Sequence, residues 1–248
     1  MPAVTPLPGT SVVARQLTLD VTLPDGSGFD SFHPGVNALA VESLRLLAMG
    51  EGEAQVYLYG EPGSGKTHLL QAACHEAGRQ GRRAAYLSPS VLAGAGPLAL
   101  EGMESLDLVC LDGIATLLGR VPGETALFNL INAARLRGSC LVLADEASPR
   151  SLPVGLPDLA SRLVWGPVFQ LQPLDDAAKC DVLQERARRR GFDLPEEVGV
   201  YLLRTCSRDL STLMNQLQRL EQASLSDQRR LTLPFARRVL TGPSAAGV

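Results

Sequence analysis

One octapeptide constrains the fold of this 248-residue chain more than any other feature. Residues 60–67 read Gly-Glu-Pro-Gly-Ser-Gly-Lys-Thr and fit the pattern G-x-x-x-x-G-K-[ST] at every fixed position. The run Val56–Tyr59 before it is apolar throughout, which is typical of a strand buried on both faces. A helical pattern follows over Thr67–Gln80. This context favours a phosphate-binding loop over a glycine-rich turn that carries Lys-Thr by chance.

The chemistry of phosphate binding explains the composition of this loop. Glycines let backbone N–H donors approach phosphate oxygens without a Cβ in the way. We expect Lys66 to reach the β- and γ-phosphates and the Thr67 hydroxyl to bind Mg²⁺. Asp112 ends the apolar run 108–111 and is expected to hold the same Mg²⁺ through water, although an ordinary strand-end aspartate is the alternative. The predicted nucleotide-binding residues of the loop region are Gly60, Pro62, Gly63, Ser64, Gly65, Lys66, Thr67 and His68.

The residue after Asp112 predicts weak hydrolysis. Cleaving a nucleotide needs a positioned water as well as bound phosphates. Gly113 has no side chain to orient that water, and Ala144 cannot contact a γ-phosphate. Asp145 and Glu146 are left as the candidates to reach the site from the strand 140–144. We therefore expect a nucleotide binder with little hydrolysis of its own.

Strand and helix patterns alternate along the first two thirds of the chain. Strand-like apolar runs occur at 56–59, 84–87, 106–111, 140–144 and 168–171. Strands that alternate with helices predict an α/β fold, a parallel sheet with helices on both faces. After Pro173 the strand pattern stops, and a small all-helical domain is predicted. Its helices are 175–190, 196–205, 209–225 and 234–240.

Composition excludes several classes of protein. With 45% hydrophobic residues and a net charge of −3, the chain is not disordered as a whole. No apolar run approaches the roughly 18 residues of a membrane span, and no signal-peptide pattern opens the sequence. A pI near 5.7 disfavours a globally basic nucleic-acid binder. Five cysteines and three histidines lack the spacing of a disulfide framework or a metal site, so we expect a cytoplasmic protein.

Several segments together resemble the AAA+ proteins of the DnaA clade. The phosphate loop and the strand that ends in Asp112 occur in the order of that module, and Phe29–Gly35 resembles the segment that opens it and covers the adenine. Segments 155–163 and 207–210 continue the same order. The chain ends near Leu240, where DnaA would continue into a helix-turn-helix domain. The resemblance is therefore greatest to the Hda family of DnaA homologues.

The resemblance implies a role for two arginines and a set of ligands. Arg162 matches the arginine finger, which acts in trans on the nucleotide of a neighbouring DnaA. Arg208 matches the second sensor, which reaches the chain's own nucleotide from the helical lid. The implied ligands are ADP, or ATP, together with Mg²⁺. The implied domains are a flexible arm 1–28, an AAA+ nucleotide-binding domain 29–173, a helical lid domain 174–241 and a disordered tail 242–248.

The arm resembles a peptide that binds the bacterial sliding clamp. An extended segment can place alternate apolar side chains in a groove while a glutamine makes amide hydrogen bonds. The implied clamp-binding residues are Gln16, Leu17, Leu19, Val21 and Leu23. The implied partners are DnaA and the DNA polymerase III sliding clamp (beta subunit), with DNA contacted mainly through the clamp and no membrane contact. Assembly into a homo-oligomer and an association with the nucleoid and replisome belong to the same expectation.

Three hypotheses about function follow. The first is a negative regulator of replication initiation that stimulates ATP hydrolysis by DnaA. The second is an autonomous AAA+ ATPase such as a helicase loader, which the intact loop favours. The third is a scaffold that binds nucleotide and partner without stimulating hydrolysis. The basic run 186–190 is either a solvated helix face or a surface that touches DNA.

Overall fold

The predicted parallel sheet is confirmed. The computed structural model describes residues 28–207 and 210–241. The strands of its five-stranded sheet are β1 (Gln55–Tyr59), β2 (Ala84–Leu87), β3 (Leu108–Asp112), β4 (Cys140–Asp145) and β5 (Val168–Gln170). They pair in the order β2-β3-β4-β1-β5, and every pairing is parallel. Because all strands point one way, β1, β3 and β4 end at the same edge of the sheet.

Helices cover both faces of this sheet. On one face lie α1 (Ala38–Met49) and α2 (Lys66–Arg79), and on the other lie α3 (Pro89–Ala95), α4 (Val121–Arg137) and α5 (Pro157–Leu163). The alternation of side chains along a strand produces the two cores. Within β1, Val56 and Leu58 pack under α1 and α2, whereas Tyr57 packs under α4 and α5. The continuous apolar runs of the central strands follow from burial on both faces.

The remaining helices form a separate helical region. Their bounds are α6 (Asp176–Arg189), α7 (Glu196–Thr205), α8 (Leu210–Asp227) and α9 (Leu233–Thr241). Their apolar faces meet in a third core that contains Leu183, Leu202 and Leu217. Asp175 caps α6, since its carboxylate accepts a hydrogen bond from the N–H of Ala178 at 2.7 Å. The described helices are each too short or too polar to span a bilayer.

The two edges of the sheet carry different groups. At the carboxyl edge, the phosphate loop follows β1, while Asp112 and Asp145 end β3 and β4. At the amino edge, the Gln55 side chain donates a hydrogen bond to the Arg162 carbonyl at 2.8 Å. The N–H of Tyr57 donates to Pro167 at 2.9 Å, which holds the chain that follows α5 beside the start of β1. Five residues of strand separate the two edges by roughly 16 Å.

Candidate nucleotide site and the arginine edge

The phosphate loop has a backbone that requires glycine at its last turn. Gly65 lies at φ +96°, in the left-handed region that L side chains rarely adopt. A Cβ at Gly65 would lie 2.6 Å from Cε2 of Phe32, so the ring closes over the loop at this point. Helix α2 begins at the next residue, Lys66, and its first N–H groups point back into the loop. Loop and helix start thus form a cradle of backbone donors for an anion.

Two polar side chains of the loop suit a bound phosphate. The Lys66 ammonium donates hydrogen bonds to the carbonyls of Gly60, at 2.6 Å, and Glu61, at 3.0 Å. The Ser64 hydroxyl is buried and has no hydrogen-bond partner in the described part of the chain. Burial lowers the pKa of Lys66, and the carboxylates of Asp112, Glu146 and Asp145 oppose that shift. A polyphosphate would give the ammonium a counter-charge and the hydroxyl a partner, so the loop fits a nucleotide.

The predicted magnesium residues are brought together. The Thr67 hydroxyl donates to Oδ2 of Asp112 at 2.6 Å, and the Asp112 side chain is buried. A hydroxyl and a carboxylate are the hard oxygen ligands that Mg²⁺ prefers. The Tyr86 hydroxyl donates to the same oxygen at 3.0 Å. Because burial and the Asp112 charge raise the pKa of Tyr86, the phenol stays protonated and competes for this oxygen.

Sequence reasoning missed Tyr86. It lies on β2, opposite Cys110 of β3, and Cys110 precedes Asp112 by two residues. Residues two apart on a strand share a face, so the phenol can reach the carboxylate one pair further along. The signal in the sequence is only the adjacency of β2 and β3, which no motif marks.

The fold constrains two positions at which a group that activates water is expected, Gly113 and Asp145. Gly113 lies at φ +73°, and a Cβ there would be 3.1 Å from Cβ and Cγ of Pro89. A side chain at this position would therefore be strained and crowded. Both carboxylate oxygens of Asp145 accept backbone hydrogen bonds, from Ala115 at 2.6 Å and Glu146 at 2.8 Å. Asp145 thus fixes the turns after β3 and β4, and its oxygens already have partners.

His68 lies against the opening segment of the module. Its Nε2 is 3.1 Å from the Gly28 carbonyl and 3.3 Å from the Ser31 hydroxyl, and its ring centroid is 5.5 Å from that of Phe32. Burial lowers the pKa of His68, which favours the neutral imidazole. His68 therefore positions Phe32 and its neighbours beside the loop, and any effect on a nucleotide passes through them.

The same segment also contacts α1 and the helical region. The carbonyl of Asp30 accepts a hydrogen bond from Arg189 of α6 at 3.2 Å, and its carboxylate lies 3.6 Å from Arg45 of α1. Phe29 is buried beneath Arg45, whose guanidinium carbon lies 5.4 Å from the ring centroid. Residues 28–32 thus touch the loop, α1 and α6 at once.

Arg162 is held at the opposite edge. Its Nε donates to Oδ1 of Asn132 on α4 at 3.1 Å, and its guanidinium carbon lies 3.9 Å from the ring centroid of Trp165. Phe128 lies further off, at 5.7 Å from the same carbon. Among residues 28–207 and 210–241, no group accepts a hydrogen bond from the terminal amino groups of Arg162. The Arg162 side chain is half-buried.

A buried carboxylate fixes the helix that carries Arg162. Glu124 accepts three backbone hydrogen bonds, from Gly155 at 2.9 Å, Leu156 at 2.7 Å and Gly119 at 3.0 Å. Those from Gly155 and Leu156 tie α4 to the segment that enters α5. Hydrogen bonds from backbone N–H groups, that of Gly155 foremost, lower the pKa of Glu124. Sequence reasoning missed this residue because nothing local marks a buried glutamate.

Some predicted residues are outside the described part of the chain. They are Arg208 and the clamp-binding residues Gln16, Leu17, Leu19, Val21 and Leu23. In the basic run 186–190, Arg189 pairs with Glu185 at 2.7 Å and Arg190 pairs with Glu221 at 2.6 Å. This pairing favours the solvated-face interpretation over a DNA-binding surface.

Family models match two parts of the chain. Residues 176–240 match the model described as "Hda, lid domain", and residues 22–94 match "IstB-like ATP binding protein". The first match covers the helical region, and the second covers the phosphate loop.

Solved DnaA structures share the fold. Domain III of DnaA from Thermotoga maritima has a TM-score of 0.71 at 22% identity, over 87% of this chain and 96% of that one. AMPPCP-bound DnaA from Aquifex aeolicus has a TM-score of 0.68 at 24% identity, over 83% and 68%. A replication initiator DnaA bound to AMPPCP and single-stranded DNA has a TM-score of 0.69 at 25% identity, over 84% and 69%.

The parallel sheet, the phosphate loop and the helical region together form an AAA+ fold, which the chain shares with domain III of DnaA. The lid of this chain is of the Hda type, and the chain is consistent with Hda, a DnaA homologue.

Proposed function

We propose that this protein is a negative regulator of replication initiation. It binds ADP at its own phosphate loop, binds the DNA-loaded sliding clamp through its arm, and stimulates hydrolysis of the ATP held by DnaA. The group that acts on that ATP is Arg162. DnaA and the clamp are its partners in the cytoplasm, and DNA is contacted mainly through the clamp.

The placement of Arg162 carries the proposal. The backbone carbonyl of Arg162 is held at the amino edge of β1 by Gln55, whereas the chain's own phosphate loop follows the carboxyl edge of that strand. The roughly 16 Å of strand between them exceeds the span of an arginine side chain. Asn132 and Trp165 hold the guanidinium while its terminal amino groups make no hydrogen bond to the described residues. An arginine held in this way suits a phosphate on another subunit.

A guanidinium supplied in trans neutralises charge that develops on the transferred phosphoryl group. Such a finger is worth about 10³ to 10⁵ in rate. The planar, always charged guanidinium can meet two phosphate oxygens at once, which an ammonium cannot do. Glu124 and Asn132 position Arg162 before the partner arrives, so little of the binding free energy is lost in ordering it.

The protein's own nucleotide has a different task. The loop N–H groups and Lys66 would bind the phosphates, and Thr67 and Asp112 would hold Mg²⁺, while Phe32 lies over Gly65. Bound Mg²⁺ would neutralise phosphate charge. Gly113 has no side chain and both Asp145 oxygens accept backbone hydrogen bonds, which leaves Glu146 as the remaining candidate base, so we expect slow hydrolysis of a nucleotide bound here. ADP suits such a site, because it still carries the β-phosphate that the loop and Lys66 would contact.

The test is hydrolysis by ATP-loaded DnaA alone, with this protein, with clamp loaded on DNA, and with both. We expect stimulation only when all components are present. Arg162→Ala should abolish it while clamp and nucleotide still bind, and Gln16→Ala should abolish it by preventing clamp binding. The control is Arg79→Ala, which removes an exposed arginine that pairs with Glu76 on α2. Full stimulation by Arg162→Ala would contradict the role proposed for Arg162. Wild-type protein that binds clamp and nucleotide but does not stimulate DnaA would favour the scaffold hypothesis.

An autonomous ATPase such as a helicase loader is the second candidate. The intact loop and the match to IstB-like ATP binding proteins favour it. Rapid turnover by the isolated protein, with no effect on DnaA, would establish this candidate in place of the regulator.

A further inference from the structure

Two guanidinium groups lie against the ring of Trp165. The guanidinium carbon of Arg162 lies 3.9 Å from the centroid of its ring, and that of Arg135 lies 4.2 Å from the same centroid. The two carbons are therefore no more than roughly 8 Å apart, a distance at which like charges repel each other. The face of an indole ring offsets part of that repulsion, because its quadrupole attracts cations.

The two arginines come from different elements and differ in their surroundings. Arg162 lies near the end of α5 and is also held by Asn132. Arg135 lies in the last turn of α4 and is exposed, and its guanidinium makes neither a hydrogen bond nor an ion pair with the described residues. Its only recorded partner in that part of the chain is the Trp165 ring. The ring thus aligns two cations whose hydrogen-bonding edges are available to an anion.

The surface around Trp165 is apolar and exposed. Trp165 itself is 37% exposed, and the side chains of Val164 and Val168 are 41% and 38% exposed. Two cations beside an apolar patch are complementary to a protein surface that carries a cluster of negative charges. The nucleotide phosphates at a subunit interface have this chemistry.

We propose that Trp165 is a positioning residue for Arg162, and that Arg135 supplies a second cation to the same phosphate-bearing site of the partner. This inference rests on the proposed function, since it concerns the partner whose hydrolysis Arg162 stimulates. Trp165 orients the face of the Arg162 guanidinium while Asn132 orients its Nε. Arg135 adds to the affinity for the partner, and Arg162 acts on the transferred phosphoryl group.

The first test needs no partner. Trp165 is the only tryptophan of the chain, so intrinsic fluorescence reports on this ring alone. Arg135→Ala and Arg162→Ala should each increase quenching by neutral acrylamide, because each uncovers part of the ring. Each should also reduce the preference for the anion iodide, because each removes a nearby positive charge. The matched control is Arg137→Ala, which removes an exposed arginine of the same helix end that contacts the Glu104 carbonyl. Equal quenching in all variants would overturn the arrangement.

The second test is the kinetics of stimulated hydrolysis by ATP-loaded DnaA with clamp on DNA. Trp165→Leu should lower the maximal rate about 10-fold, since Arg162 loses its orientation. Trp165→Phe keeps an aromatic face and should retain most of the rate. Arg135→Ala should raise the half-saturating concentration about 3- to 10-fold with a smaller change in maximal rate, as for a charge at an interface. Arg137→Ala should change neither quantity.

The outcomes separate the two proposals. If wild-type protein stimulates DnaA and Trp165→Leu, with an unchanged urea midpoint, stimulates equally, the positioning role is wrong. Loss of function in Trp165→Phe as severe as in Trp165→Leu would also contradict it. If Arg135→Ala matches Arg137→Ala, the second cation is wrong. If wild-type protein does not stimulate at all, the proposed function fails, and the quenching experiment still decides whether the ring holds both arginines.

Discussion

The two edges of the sheet present polar groups in opposite ways. At the carboxyl edge, the side chains that would hold a nucleotide are hydrogen-bonded to other residues of the chain. Lys66 donates to loop carbonyls, and Asp112 accepts from Thr67 and Tyr86. At the amino edge, Arg162 is fixed through its Nε and its face, with its terminal amino groups available. The first edge must be rearranged by its ligand, whereas the second is already arranged. Retaining a nucleotide and promoting hydrolysis elsewhere thus need different degrees of preorganisation.

The largest expected effect at the carboxyl edge is that of Lys66→Ala. Removing the ammonium should weaken nucleotide binding about 100-fold, the size expected for charge-assisted hydrogen bonds to phosphate. Titration with a fluorescent ADP analogue measures it. Lys179→Ala, which removes the only other lysine of the chain, should bind like wild type. Unchanged affinity in Lys66→Ala would mean that the loop does not hold the nucleotide.

Glu124→Gln tests what holds the arginine edge. The amide keeps the shape but places an NH₂ group against backbone donors, which should cost about 1–3 kcal/mol of unfolding free energy. Urea denaturation measures it, and Glu101→Gln on an exposed turn is the control. If Glu124→Gln loses no more unfolding free energy than the control, the Glu124 carboxylate is not needed for stability.

The pH dependence of stability gives the same carboxylate a second test. The folded-state pKa of Glu124 is lowered, chiefly by the Gly155 N–H. Its contribution is therefore complete above the unfolded-state pKa of about 4.3 and is lost as the pH falls through the folded-state value. Wild type should lose stability in this acidic range more steeply than Glu124→Gln. If the unfolding free energies of the two proteins change with pH in parallel, the stabilising role of the Glu124 carboxylate is contradicted.

Gly113→Glu asks whether a missing side chain is the only obstacle to hydrolysis at the carboxyl edge. A glutamate there would meet Pro89 at a φ of +73°, so we expect about 1–3 kcal/mol of destabilisation and no gain in ATP turnover. Gly113→Ala isolates the backbone strain from the added carboxylate. A stable Gly113→Glu protein with rapid ATP turnover would show that strain and crowding at this position do not prevent hydrolysis.

The smallest expected effect is that of Tyr86→Phe. Removing the phenol frees Oδ2 of Asp112 from one donor, and the Mg²⁺ concentration needed for tight nucleotide binding should fall about 2- to 5-fold. The midpoint of a Mg²⁺ titration at fixed nucleotide measures this change. Tyr201→Phe in α7 is the control. A higher Mg²⁺ requirement would mean that Tyr86 supports the metal site.

The central strands, most helices and the phosphate loop could be predicted because their patterns are local. Helices α3 and α5 were not predicted: each has seven residues and begins with proline, too short for a clear apolar period. The absent carboxylate at Gly113 was visible in the sequence. The crowding by Pro89 was not, because it depends on where α3 packs.

The arginine edge illustrates a further limit. Asn132 and Arg162 are thirty residues apart in the sequence, and only the packing of α4 on α5 brings them together. The family resemblance pointed to Arg162, while Arg135, Trp165 and Glu124 carry no motif. Their roles depend on distances that only the folded chain determines.

The most direct measurement follows a labelled γ-phosphate in single turnover. ATP labelled at the γ-position is loaded onto DnaA in one experiment and onto this protein in another, and both proteins are then mixed with clamp on DNA. We predict rapid release of phosphate only when the label starts on DnaA, and loss of that release in Arg162→Ala. Release that is rapid from this protein's own loop, or from DnaA regardless of Arg162, would contradict the division between the two edges.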